Sequence, residues 1–123
     1  KTRLGFESTD NYEDLLDIFS QHDLDLLTVH GRTVKQMYRS AVDYKAIQKA
    51  AKTVSFPLLA NGNVYSAEHA AEVLNTTQSA GWMIGRGAIR NPWIFCQIRS
   101  MLKGEAVELP TGRDVLGYIE NLF

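Results

Sequence analysis

Only one cysteine, Cys96, occurs in the 123-residue chain, so no internal disulfide can form, and this usage fits a reducing compartment. Charge excess is missing as well. With 13 basic and 14 acidic side chains the formal net charge is -1, so no overall field draws in nucleic acid or an anionic membrane. Any nucleic-acid partner has to be held by a local patch. There is no run of about 18 apolar residues to make a transmembrane helix, and no signal-peptide pattern at the N-terminus. These absences predict a soluble protein of the cytoplasm with no membrane partner. His22 and His69 lack metal-ligand partners at useful spacing, so no metal site is expected. Asp23 and Asp25 bracket a strand start, and no carboxylate pair stands out as acid and base. An initiator methionine is absent too: the chain opens at Lys1 inside a strand pattern and stops at Phe123 inside an apolar helical one. That predicts a piece of a longer chain.

What is present suits one domain with a buried core, at 13.8 kDa and 45% hydrophobic residues. Lys1 to Leu4 reads as a strand closed by Gly5. Asp10 is placed to cap a helix from Asn11 that groups Leu15, Leu16, Ile18 and Phe19. Leu24 to His30 is a second strand, followed by a long polar loop to about Val42. Long loops tend to carry function. Asp43 caps a helix through Ala46, Ile47, Ala50 and Ala51, Phe56 to Ala60 is the third strand, and Ser66 caps the next helix. Gly81 to Ile84 is the fourth strand. Asn91 as N-cap with Pro92 at the first helical position starts a helix to about Lys103, Gly104 to Pro110 is a linker, and Arg113 begins a last helix.

Strand ends therefore recur near Leu4, His30, Asn61 and Ile84, each followed by a helix. Alternating strands and helices imply a parallel α/β sheet with right-handed crossovers. An open doubly wound sheet and part of a (β/α)8 barrel both fit, and periodicity does not decide between them. Four units would be half of a barrel of about 250 residues. Polar residues collect just beyond the strand ends, at His30, Asn61 and Arg86, where barrel enzymes place their sites and often a phosphate.

Two glycine turns are the most informative stretches. Gly85-Arg86-Gly87, between the fourth strand and a helix start, can supply backbone donors and a guanidinium to an anion, or be a plain turn with a surface arginine. Asn61-Gly62-Asn63 sits at the end of the neighbouring strand, so in a parallel barrel both turns open onto one pocket. His30 can donate a hydrogen bond or exchange a proton near neutral pH. Lys1 could place an ammonium in the barrel mouth. Arg32, Lys35, Gln36, Tyr38 and Arg39 share the long loop, a mixture that binds phosphates and stacks on bases or is a solvated loop. Cys96 falls among Ile94, Phe95 and Ile98 and reads as a packed thiol.

Lys1-Thr-Arg-Leu-Gly5, Thr28-Val-His-Gly-Arg-Thr33 with Gln36 and Tyr38, Leu59-Ala-Asn-Gly-Asn63, and Met83-Ile-Gly-Arg-Gly-Ala88 followed by Asn91-Pro-Trp-Ile-Phe95 resemble the tRNA-dihydrouridine synthases. The resemblance covers nearly the whole chain and corresponds to the second half of that family's FMN-binding TIM barrel, residues 1–108, with residues 109–123 entering its helical C-terminal domain. It implies an enzyme that uses FMN and NADPH to reduce uridine to 5,6-dihydrouridine in tRNA, with a cysteine as proton donor. By motif, Lys1 matches the lysine at the flavin ring and His30 the histidine of the flavin site. Asn61, Gly62 and Asn63, with Gly85 and Arg86, match the segments that hold the FMN phosphate. Asn63 stands where the family carries aspartate or glycine. Arg32, Lys35 and Tyr38 are the expected tRNA contacts. No catalytic residue is assigned, because Cys96 does not match the family's cysteine, and the chain alone is expected to be inactive. Half a barrel leaves two open sheet edges, so self-association is expected. Another FMN- or phosphate-binding barrel oxidoreductase, and a non-catalytic RNA-binding or scaffolding module derived from such an enzyme, are the alternatives. A Cys-Pro segment and glycine-rich loop upstream of Lys1 would separate them.

Overall fold

A computed structural model describes residues 1–122. Strands β1 (Thr2–Arg3), β2 (Leu27–His30), β3 (Leu58–Asn61) and β4 (Gly81–Met83) form one parallel sheet in the order β1-β2-β3-β4. Helices α1 (Tyr12–Ser20), α2 (Tyr44–Thr53) and α3 (Ala67–Thr77) connect successive strands, and α4 (Arg86–Arg90), α5 (Ile94–Leu102) and α6 (Gly112–Glu120) follow β4. A doubly wound sheet needs its strand order to reverse, which moves the helices to the other face. No reversal occurs here. Right-handed crossovers between neighbours therefore stack the helices on one face, α1 beside α2, α2 beside α3 and α3 beside α5. This is the one-sided arrangement of a barrel arc, four β/α units of a TIM-type fold.

Alternation along the strands divides the residues between core and site. Leu27 and Val29 on β2 and their partners Leu58 and Ala60 on β3 point to the helices, and none is more than 2% exposed. They meet Leu16, Ile47, Ala50, Ala70, Val73 and Ile94 in one core. Burying a side chain of the leucine or isoleucine kind stabilises the fold by ~1.5–3 kcal/mol, so this face holds the sheet in place. The other face carries a registered row, with Arg3 beside His30, His30 beside Asn61 and Asn61 beside Met83.

Two caps are where the sequence predicts them. The Asp43 side chain accepts from the Ala46 amide at 2.9 Å, and the Ser66 hydroxyl from the His69 amide at 3.2 Å. Asp10 does not cap α1. Its carboxylate accepts from the Ser8 hydroxyl at 2.7 Å, Asn11 is the residue before the helix, and the Tyr12 amide bonds to the Thr9 carbonyl instead. Asn91 does not begin the helix after β4 either. The five-residue α4 intervenes, the Asn91 amide closes it on the Gly87 carbonyl, and Pro92 lies in the turn before α5. α6 starts one residue before its predicted Arg113, with Thr111 and Asp114 forming a capping box; Phe123, placed by sequence on this helix, lies outside the described residues.

Asp43→Ala removes the side-chain bond to the first turn of α2 and is expected to cost about 1 kcal/mol. Urea denaturation checks this, and an unchanged midpoint would mean that water serves the Ala46 amide equally well.

Candidate functional site

Beyond the ends of β2, β3 and β4 the chain closes around a cleft of about 170 Å³. Lys1, His30, Asn61, Gly62, Asn63, Gly85 and Arg86 all line it, and Tyr38 joins them from the long loop. At this size it is smaller than the ~300–1,000 Å³ of a pocket for a drug-sized ligand, and so suits one end of a large molecule or a small anion.

The turn after β3 is held from several sides. Asn61 donates from Nδ2 to the Met83 carbonyl at 2.6 Å, which ties β3 to β4 at the cleft floor. Gly62 has φ +136°, and a Cβ there would lie 2.8 Å from Val42 Cγ2, so both conformation and space call for glycine. Tyr44 Oη donates to the Gly62 carbonyl at 3.0 Å. Asn63 follows in the left-handed region at φ +53°, which asparagine tolerates better than most side chains. Across the cleft, Gly87 brings α4 against this turn: a Cβ on it would sit 2.0 Å from the Val64 carbonyl oxygen. Gly85, just before α4, has open space where a Cβ would point. In the first turn of α4 the Ala88 amide bonds back to the Gly85 carbonyl at 2.9 Å.

Positive charge dominates. Lys1, Arg3 and Arg86 line the cleft, and among the described residues no aspartate or glutamate does. Arg3 Nη1 donates to the Thr33 carbonyl at 2.9 Å. The Tyr38 ring lies 4.1 Å from the Arg86 guanidinium carbon and 5.9 Å from that of Arg3, so one exposed aromatic serves two cations. His30 is driven down to about 4 by burial first, then by Arg3, Arg32, Lys1 and Arg86. Its imidazole is therefore neutral at pH 7 and offers one N–H donor and one acceptor nitrogen. The electrostatics of such a pocket suit an anion.

The three residues expected at an RNA face separate. Tyr38 lies at the cleft and is exposed. Lys35 is exposed outside it and pairs with Glu7 at 3.1 Å. Arg32 is only 1% exposed: Nε donates to the Ser40 carbonyl at 2.7 Å and Nη1 to Asn63 Oδ1 at 3.4 Å. It braces the floor of the site. Sequence reasoning missed Arg3 and Tyr65, both in the lining. Arg3 was within reach, because a strand that points Lys1 into the mouth points Arg3 the same way.

A parallel β/α arc with a cationic, glycine-edged cleft at its strand ends defines a barrel-type protein whose cleft is suited to an anion. The family model described as dihydrouridine synthase (Dus) matches residues 1–122, and the chain belongs to that enzyme family. It is 43% identical over 101 residues to a probable tRNA-dihydrouridine synthase of Helicobacter pylori, covering 81% of this chain and 30% of that protein. Similarity to tRNA-dihydrouridine synthase B of Pasteurella multocida is 34% over 110 residues, covering 89% and 33%. A probable tRNA-dihydrouridine synthase of Rhodobacter capsulatus is 34% identical over 121 residues, covering 97% and 37%. The chain spans about a third of the length of these relatives.

His30 also makes stability depend on pH. An unfolded imidazole titrates near 6.5 and the folded one near 4, so between these values the unfolded chain binds more protons. The stability this contributes is complete above pH ~6.5 and is lost as pH falls toward 4. Urea unfolding at pH 7 and pH 5 is expected to show a larger loss for wild type than for His30→Gln. Equal losses would mean that neither burial nor the neighbouring cations lower the His30 pKa in the folded chain.

Proposed function

We propose that this chain forms the phosphate-holding side of the flavin site in a tRNA-dihydrouridine synthase. The observation that carries the proposal is the convergence of both glycine turns and Arg86 on a cleft with four cationic side chains around it and no carboxylate in its described lining. The phosphate of FMN would rest between the backbone of residues 61–63 and that of residues 85–87. Arg86 contributes charge-assisted donors, and the open side of Gly85 leaves room for a phosphate oxygen. Lys1, just before β1, and Arg3, on it, line the same cleft and would lie along the flavin ring. Neutral His30 orients the cofactor by hydrogen bonding without adding a proton to the site. When bound and reduced by NADPH, FMN would supply the hydride for the C5–C6 bond of uridine, with a proton from outside these cleft residues.

The tRNA would approach from the open side, where Tyr38 and Lys35 are exposed, with Arg32 supporting the loop from beneath. Cys96 is exposed on α5 rather than packed as the sequence suggested, and it lies outside the cleft lining, so the cysteine expected as proton donor is not among this chain's cleft residues and the chain alone is read as inactive. Residues 1–108 are read as barrel and 109–123 as the start of a helical domain. α6 fits that division, since none of its described residues is buried and Val115, Leu116 and Ile119 are exposed. No helix among the described residues is long and apolar enough to cross a membrane, and a cytoplasmic setting suits a tRNA substrate.

Arg86→Ala is expected to weaken FMN binding by on the order of 1.5–3 kcal/mol, the value of a hydrogen bond to a charged group, while riboflavin, which lacks the phosphate, binds as before. Flavin fluorescence titration reads both. Equal weakening of the two ligands would move Arg86 from the phosphate to the ring. The isolated chain, with β1 and β4 as open edges and Phe6 71% exposed beside β1, is expected to associate at tens of micromolar concentration (~10 μM upward). A stable monomer by light scattering would contradict that.

A further inference from the structure

Asn63 holds a position that the convergence of charge makes decisive. Its Oδ1 accepts from Arg32 Nη1 at 3.4 Å, from Arg86 Nη2 at 3.4 Å and from Tyr65 Oη at 3.3 Å. Those donors come from three places in the fold: the loop after β2, the first residue of α4 and the turn after β3. One neutral oxygen therefore links the two glycine turns and spaces two like charges. An amide oxygen attracts guanidinium donors but cancels no charge. A carboxylate in its place would pair with both and remove one unit of positive charge from the cluster.

We propose that Asn63 is a positioning residue that sets the charge of the phosphate cradle, holding Arg32 and Arg86 in place while leaving both charges for the ligand. The inference rests on the phosphate reading above. It also explains why the neighbouring Arg32 can be buried without a carboxylate partner: its bonds go to the Ser40 carbonyl and the Asn63 amide. Its charge then works outward. Burial and the nearby Arg86 lower its pKa, the direction expected for a guanidinium with no anion beside it, and arginine still remains charged.

Asn63→Asp preserves shape, acceptor and tolerance of the left-handed conformation, adds a negative charge and exchanges the Nδ2 donor for an acceptor oxygen. Asn63→Gly preserves the conformation and deletes the acceptor. The full chain is titrated with FMN and with riboflavin at low and moderate salt, and the ratio of the two affinities reports the phosphate alone. In Asn63→Asp the ratio is expected to fall about tenfold, with a weaker dependence on salt, because the phosphate competes with a resident carboxylate. A smaller fall, about threefold, is expected for Asn63→Gly, since its guanidiniums are less ordered but still fully charged. An unchanged ratio in Asn63→Asp, or a fall in Asn63→Gly as large as in Asn63→Asp, overturns the charge-setting role. If wild type itself does not prefer FMN to riboflavin, the phosphate reading fails and this inference fails with it.

Discussion

Like charges crowd together at one end of this sheet, and the rest of the structure is arranged to keep them there. Arg3, Arg32 and Arg86, with Lys1, stand close enough to depress His30, and no carboxylate lines the cleft among the described residues. Such crowding opposes folding by mutual repulsion. It persists because each guanidinium is tied to neutral acceptors: Arg3 to the Thr33 carbonyl, Arg32 to the Ser40 carbonyl, and Arg32 and Arg86 to Asn63 Oδ1. The Tyr38 ring adds a face to Arg86. A bound anion would relieve the repulsion left over, so that part of the fold's electrostatic cost would become binding energy.

Register and glycine set the geometry. Arg3, His30, Asn61 and Met83 are aligned because four parallel strands pair without a slip, and a slip of one residue would turn the row into the core. The core face, with Val29 and Ala60 fully buried, fixes the register against that. Gly87 then lets α4 approach the turn after β3 to a distance that no side chain permits. Core packing on one side of the sheet thereby determines where charges stand on the other.

Much of this could be read in the chain. Strand ends at His30 and Asn61 follow from apolar runs broken by polar and glycine residues, and the caps Asp43 and Ser66 follow from residue type at the head of a helical period. The seven residues expected around a cofactor do share one cleft, because six lie at or beyond the strand ends and Lys1 leads into the short β1 beside them. The burial of Arg32 was not legible, since it depends on a loop folding back so that Ser40 meets the guanidinium. α4 was not legible either: five residues carry too little period, and its Gly-Arg-Gly start reads as a turn. Asp10 has the chemistry of a cap, but Ser8 competes for its carboxylate. Tyr65 reaches the cleft through the left-handed turn at Asn63, and residue type does not foretell that path.

Membership of the Dus family and the cationic cleft together make the location of one phosphate the central question. A crystal structure of the protein with FMN measures it directly. The phosphate is expected between residues 61–63 and 85–87, within hydrogen-bond reach of the Arg86 guanidinium. A phosphate bound elsewhere, with Arg86 still turned to Asn63 and Tyr38, would contradict the assignment.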